Sequence, residues 1–469
     1  MKARRSFLTR LTILSLVAVT LLAPSWRSRA ARSNQAASST PIQHLIVILQ
    51  QNHTFDNYFG TYPGADGIPE GTCMPVDPGN PGDQACVEPY YIGESAIADL
   101  DHSYATFQQQ YNNGQMDGFI KALNEHKQDG RIAMGYYDDR DLPYYWNLAD
   151  EYVLFDRFFS SAPGGSIWNR MFWIAGVPGN ELNRIPEDGF GDLPTIFDQL
   201  EARGISWKFY VNNYDPALTY RTLDQSGFLD PQVQWVPLLG FDRFIDDPAL
   251  SSRIVPMEQY YQDLENGELP AVSYMLALGA TEHPLTSLEA GQRFVKQLIQ
   301  ALMQSDAWYS SAFILTYDDW GGWYDHVPPP QVDDFGYGFR VPALLVSPYA
   351  RRGHVDSTEL DFSSILKFIE QNWGIPPLAA RDARANNFIS AFDFSQPPRE
   401  PEIISWERQD PGASLNQSAP RFGVIYLTYG AALILSVIIL VPVFWKRKDK
   451  NLNDIYPKGS EGGEGQQDG

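Results

Sequence analysis

The sequence predicts an α/β domain on a doubly wound, mostly parallel sheet with helices on both faces, followed by a transmembrane helix. Three observations carry this. Short apolar, β-branched runs such as HLIVIL (residues 44–49) and AFIL (residues 312–315) have the pattern of strands buried on both faces. Helical stretches alternate with such runs over most of the chain. Polar and acidic residues gather directly after the runs, where open α/β sheets bind ligands.

At 469 residues the chain holds one large α/β domain or two ordinary ones. Its hydrophobic content of 43% rules out disorder for the bulk of it. The net charge of −22 argues against non-specific nucleic-acid binding, which needs clustered Lys and Arg. An acidic surface also repels anionic substrates, so an anion site here needs local cations.

The two ends predict export and anchoring. Residues 1–31 have a basic start and an apolar run from Leu11 to Ala23, the form of a signal peptide. Arg4-Arg5-Ser6-Phe7-Leu8 resembles a twin-arginine signal, with an ordinary Sec signal as the alternative. Val424 to Trp445 carries no charge and is long enough to cross a hydrocarbon core of ~30 Å at ~1.5 Å per residue. Lys446-Arg447-Lys448 follows, which places residues 446–469 in the cytoplasm and the domain outside it. Cys73 and Cys86 are the only cysteines, and a disulfide between them is expected in an exported protein.

After the first strand come Gln51, Asn52, His53 and Thr54, as ligand-binding residues or helix caps. Residues 61–100 are rich in Gly, Pro and Asp and read as a long surface loop. His102 then starts a helical stretch, either as a phosphate donor or as a helix-start histidine. The Gly164-Gly165-Ser166 turn feeds a helix, where a hydroxyl meets free N–H groups and the positive dipole end. Ser166 is a nucleophile or an N-cap there. Asn169 and Arg170, one turn on, can both donate to an anion. Leu193 to Gly204 reads as a helix and Ile205 to Val211 as a strand. Pro270 to Ala277 reads as a strand running into Glu282-His283. A helix from Ser287 to Gln304 precedes the central strand, which ends in TYDDWGGWYDHVPPP (residues 316–330). Arg340 to Pro348 reads as a further strand and Asp361 to Trp373 as an amphipathic helix.

Five stretches, in order, resemble the phosphoesterase family that contains bacterial phospholipases C and an acid phosphatase, within the alkaline-phosphatase-like superfamily. They are Gln51 to Asp56, Asp101-His102-Ser103 through Met116-Asp117-Gly118-Phe119, Pro163 to Arg170, Glu282-His283-Pro284, and Thr316 to Pro330. The resemblance spans roughly residues 41–378 and implies a phosphoesterase domain over 41–395; composition then places a linker over 396–423 before the membrane span over 424–445. It implies Gln51, Asn52, Asp318 and Asp319 as metal ligands and Ser166 as the nucleophile. It also implies His102, His283 and His326 as catalytic residues, with Asn169 and Arg170 contacting substrate.

The residue types suit that chemistry. A divalent cation held by carboxylates activates a serine hydroxyl and offsets developing charge, and histidines protonate a leaving oxygen. Asp and Asn oxygens suit Ca²⁺ or Mg²⁺, with Mn²⁺ or Fe as further candidates. The expected partners are a phosphate ester, a phospholipid among them, and the membrane through the C-terminal helix. Two positions depart from the family: Gln51 replaces a Glu, and Phe362 replaces a His. Gln51 motivates an alternative, a surface binding protein that keeps the fold with impaired catalysis.

Overall fold

The computed structural model describes residues 37–408, except 81, 83–84, 95–97 and 223–229. The expected export signal, the membrane span, the tail and most of the linker lie outside the described residues. Among those described, no helix is long and apolar enough to cross a membrane.

The core is one eight-stranded sheet. In chain order its strands are β1 (His44–Gln50), β2 (Val153–Phe155), β3 (Trp207–Val211), β4 (Ile254–Pro256), β5 (Val272–Leu276), β6 (Ser311–Tyr317), β7 (Ala343–Val346) and β8 (His354–Asp356). Their spatial order is β8-β2-β7-β6-β1-β5-β3-β4. β1 pairs in parallel with both β5 and β6, with Gln50 opposite Tyr317. β7 alone runs against its neighbours β6 and β2. Every residue of β5, β6 and β7 is buried, so both faces of the sheet's centre are covered. That is why these segments are mostly apolar rather than alternating, with Ser273, Ser311 and Thr316 as buried polar interruptions.

The helices include α1 (Phe55–Phe59), α2 (Pro143–Glu151), α3 (Ser166–Ala175), α4 (Ile196–Ala202), α5 (Leu288–Met303) and α6 (Phe362–Trp373). The helices and strands expected between residues 193 and 373 are present, each within three residues of its expected ends. Cys73 and Cys86 are bonded, their Cα atoms 5.4 Å apart. The loop they close carries a two-stranded antiparallel ribbon, Met74–Pro75 with Cys86–Val87.

One buried acid pair gives the fold a pH dependence. Glu370 on α6 and Asp382 both accept from the Leu378 N–H, at 3.0 and 2.7 Å. Burial, and then the neighbouring Asp382, pushes the Glu370 carboxyl up to about 9. The folded state therefore holds a proton that the unfolded chain releases at an ordinary carboxyl pKa. This contribution to stability is complete below that ordinary value and declines as pH rises toward about 9. Glu370→Gln is expected to gain stability over the parent at about pH 8.5 and little at about pH 5. Denaturant unfolding at the two pH values checks this.

Candidate active site

The site lies at the ends of β1 and β6, where the paired strands release their chains together. The Asp318 N–H still donates to Gln50 O at 3.0 Å, so the two loops leave the sheet side by side. Beyond them the loops touch. Gly321 (φ +59°) lies so close to the Asn52 backbone that a Cβ would sit 2.3 Å from the Asn52 carbonyl oxygen. At Gly322 (φ +84°) a Cβ would sit 2.6 Å from Leu100 Cβ. These two glycines let the loops carrying Asn52, His102 and Asp319 meet.

Ser166 arrives on α3. Gly165 is the cap and Ser166 the first helical residue, so the hydroxyl is not engaged in capping. It donates to Asp319 Oδ2 at 3.3 Å. Asn169 holds the turn: its Oδ1 accepts from Ala162 N at 2.8 Å and its Nδ2 donates to Gly164 O at 2.9 Å. Asn52 Nδ2 lies 3.5 Å from His102 Nε2, while His102 Nδ1 donates to Leu100 O at 2.7 Å. Asn52 Oδ1 is buried and has no hydrogen-bond partner among the described residues. Ser166–Asp319 and Asn52–His102 thus form two bonded pairs, and the charge of Asp319 acts on His102 across them. Ser166 and His102 line a cavity of about 420 Å³ together with Asp99, Asp101, His126 and Asn183.

Electrostatics tie the two pairs into one group. Burial, and then the adjacent Asp318, pushes the Asp319 carboxyl up to about 7, against the pull of His102. Burial works against charge on His102, but Asp319 and then Asp99 hold its pKa above the usual imidazole value. Asp99 also links the second histidine: its oxygens lie 3.9 Å from His102 Nδ1 and 3.9 Å from His283 Nε2.

Arg170 occupies a different place from the substrate contact expected of it. It is fully buried, and its Nε and Nη2 donate to Asp318 Oδ2 at 3.2 and 3.1 Å. Its Nη1 donates to Trp235 O at 2.8 Å. In the amide orientation that satisfies its neighbours, Gln51 Oε1 accepts from Arg170 Nη2 at 3.1 Å and from Trp235 Nε1 at 3.2 Å. Arg170 therefore joins the nucleophile helix to Gln51 and Asp318. Asn169 is likewise fully buried, and its amide is taken up by the backbone of its own loop.

His326 does not bond to this group; its Nδ1 is 2.7 Å from Asp56 Oδ2. Glu282, beside His283, accepts from Tyr58, Tyr145 and Tyr317 hydroxyls and from Gln50 Nε2. That cage anchors the segment from which His283 projects. Asp99 and His126 were missed because neither follows a strand end: Asp99 lies two residues before the Asp101-His102-Ser103 stretch and outside it, and His126 caps the C-terminus of the short helix Phe119–Glu125.

The donor set fits a hard divalent cation. Asp318 and Asp319 supply carboxylates, and Asn52 Oδ1 is a buried carbonyl with no donor among the described residues. A cation would also relieve the repulsion that raises Asp319. Asp56, Asp325 and His326 form a second group whose ligand atoms all lie within 4.8 Å of one another, near enough to hold a metal.

The profile of the phosphoesterase family matches residues 42–376. Similar proteins include phospholipase C B of Mycobacterium tuberculosis, 28% identical over an alignment covering 76% of this chain and 79% of that protein. The non-hemolytic phospholipase C of Pseudomonas aeruginosa is 25% identical, covering 85% of this chain and 65% of that protein. Among solved structures, a protein in the alkaline phosphatase superfamily from Vibrio parahaemolyticus superposes with a TM-score of 0.36 at 10% identity, covering 75% of this chain and 71% of that one. The chain belongs to the phosphoesterase family and is a phosphoric ester hydrolase.

Proposed function

We propose that the chain is an exported, membrane-anchored enzyme of alkaline-phosphatase-like fold that cleaves phosphate esters, phospholipids included, with Ser166 as nucleophile. One observation carries this reading: the Ser166 hydroxyl, at the positive end of α3, donates to Asp319 beside an Asn52 carbonyl oxygen with no partner among the described residues. Asp318, Asp319 and Asn52 would hold a divalent cation, with Gln51 at its edge. When bound, the cation supplies charge for the phosphate oxygens and lowers the pKa of the serine hydroxyl.

The chain's own groups do the rest. Asp319 Oδ2 orients the Ser166 hydroxyl and is the nearest acceptor for its proton. The α3 N-terminus favours the negative charge that gathers on the phosphoryl oxygens. His102 and His283, held about the Asp99 carboxylate, are placed to protonate the leaving alcohol oxygen. Ser166 Oγ bonds to phosphorus as the P–O bond to that alcohol breaks. A water then attacks phosphorus, losing a proton to the histidine that protonated the alcohol. The P–O bond to Ser166 breaks as the hydroxyl proton returns from Asp319. The C-terminal segment 424–445 holds the domain at the outer membrane surface beside lipid substrates. The test is turnover of p-nitrophenyl phosphate and p-nitrophenyl phosphorylcholine by the purified domain with and without chelator. Hydrolysis of neither, at any cation concentration, removes the proposal.

The impaired binding protein is favoured by one observation, that Gln51 Oε1 is engaged by Arg170 and Trp235. With Arg170 offsetting Asp318, Asp319 is left as the carboxylate without an arginine partner. Gln51→Glu is expected to tighten cation binding about tenfold, measured by calorimetry. An unchanged affinity means that position 51 does not limit the site.

A further inference from the structure

Asp56, Asp325 and His326 have the spacing of a cation site, but the Arg340 guanidinium already bridges the two carboxylates. Arg340 is fully buried. Its Nη2 donates to Asp56 Oδ1 at 2.9 Å and its Nε to Asp325 Oδ1 at 2.8 Å. Its Nη1 donates to the carbonyls of Asp66 and Asp156 at 2.7 and 2.8 Å. Asp56 Oδ2 accepts from His326 N and lies 2.7 Å from His326 Nδ1. Asp325 Oδ2 accepts from Asp56 N at 3.3 Å. Both carboxylates therefore share one guanidinium, whereas at the proposed cation site Arg170 engages Asp318 and leaves Asp319 without an arginine. The positive charge that a cation would supply to Asp56 and Asp325 is thus already supplied by Arg340.

What the network does is join two segments. Asp56 lies on α1, which continues directly from the loop of Asn52. Asp325 and His326 end the loop that begins with Asp318 and Asp319. Two further bonds run between the same partners: Phe55 N donates to Arg340 O at 3.1 Å, and Thr54 Oγ1 donates to Tyr324 O at 2.7 Å. The guanidinium also lies over the Phe55 ring, 4.6 Å from its centroid.

We propose that Arg340, Asp56, Asp325 and His326 form a charge clamp that fixes the Asn52 loop against the Asp318–Asp319 loop, making His326 a positioning residue for the cation site. This rests on the reading of Asp318, Asp319 and Asn52 as that site. Without the clamp the ligand oxygens are still present, but they no longer converge before the cation arrives, and its binding must order them. Outer-shell partners of this kind change metal affinity by about 10–100-fold.

The test is calorimetric titration of Mn²⁺ into the parent domain, His326→Ala, His326→Asn and Asp319→Asn, with circular dichroism to confirm folding. An Asn side chain keeps an N–H that can reach Asp56. The parent is expected to bind a single ion. His326→Ala should bind it about tenfold more weakly, and His326→Asn should recover to within about threefold of the parent. His326→Ala binding as tightly as the parent overturns the clamp. So does a parent that binds two ions of which His326→Ala loses one, because the group would then be a ligand set. A parent that binds no ion, or an Asp319→Asn variant that binds as well as the parent, removes the metal-site reading and the clamp with it.

Discussion

Ser166→Ala is expected to lower kcat about a thousandfold or more, because no other hydroxyl among the described residues is bonded to Asp319 at this helix end. The loss should fall on kcat. In the proposed site the cation would be held by Asn52, Asp318 and Asp319, all of which remain, so KM should move little. Stability should change by less than about 1 kcal/mol. The serine hydroxyl makes one 3.3 Å bond, and alanine suits the first helical turn. Steady-state kinetics on p-nitrophenyl phosphate with matched cation occupancy separates these effects. Activity retained within about tenfold of the parent would exclude Ser166 as the attacking group.

Arg170→Ala is expected to be the most destabilising single change at the site, by about 3–5 kcal/mol. Arg170 and Asp318 are both fully buried and joined by two bonds, so truncation leaves the Asp318 charge in the interior with no cation beside it. It also strips a donor from Trp235 O and from Gln51. The double variant Arg170→Met, Asp318→Asn should recover a large part of the loss, since removing both charges is far less costly than removing one. Saturating divalent cation should rescue the single variant more than the double, because only the single retains the Asp318 charge. Denaturant midpoints with and without cation measure all of this.

The sheet's centre was legible because β1, β5 and β6 are buried on both faces, and that leaves largely apolar runs in the sequence. The three-residue strands β2, β4 and β8 are too short to show any period. The reversed direction of β7 is equally hidden, since a strand's own residues do not record which way its neighbours run. At the site, the polar residues after β1 and β6 were visible because each follows a strand end. The roles of Asn169 and Arg170 were not. Both are donors, and a sequence shows a donor without showing its acceptor: the loop carbonyls for one, Asp318 for the other. Asp99 is the same problem in reverse, one of many acidic residues in a chain of net charge −22 until the fold sets it between two histidines. His326 carried the motif, but only the surrounding network shows that it bonds to Asp56 instead of facing the cavity of Ser166.

The nucleophile claim is tested most directly by acid-quenching the enzyme during turnover of p-nitrophenyl phosphate and mapping the phosphorylated peptide by mass spectrometry. The account predicts a phosphoryl group on Ser166 that appears with substrate and is absent from Ser166→Ala. Phosphorylation at another residue, or full turnover by Ser166→Ala, would contradict it.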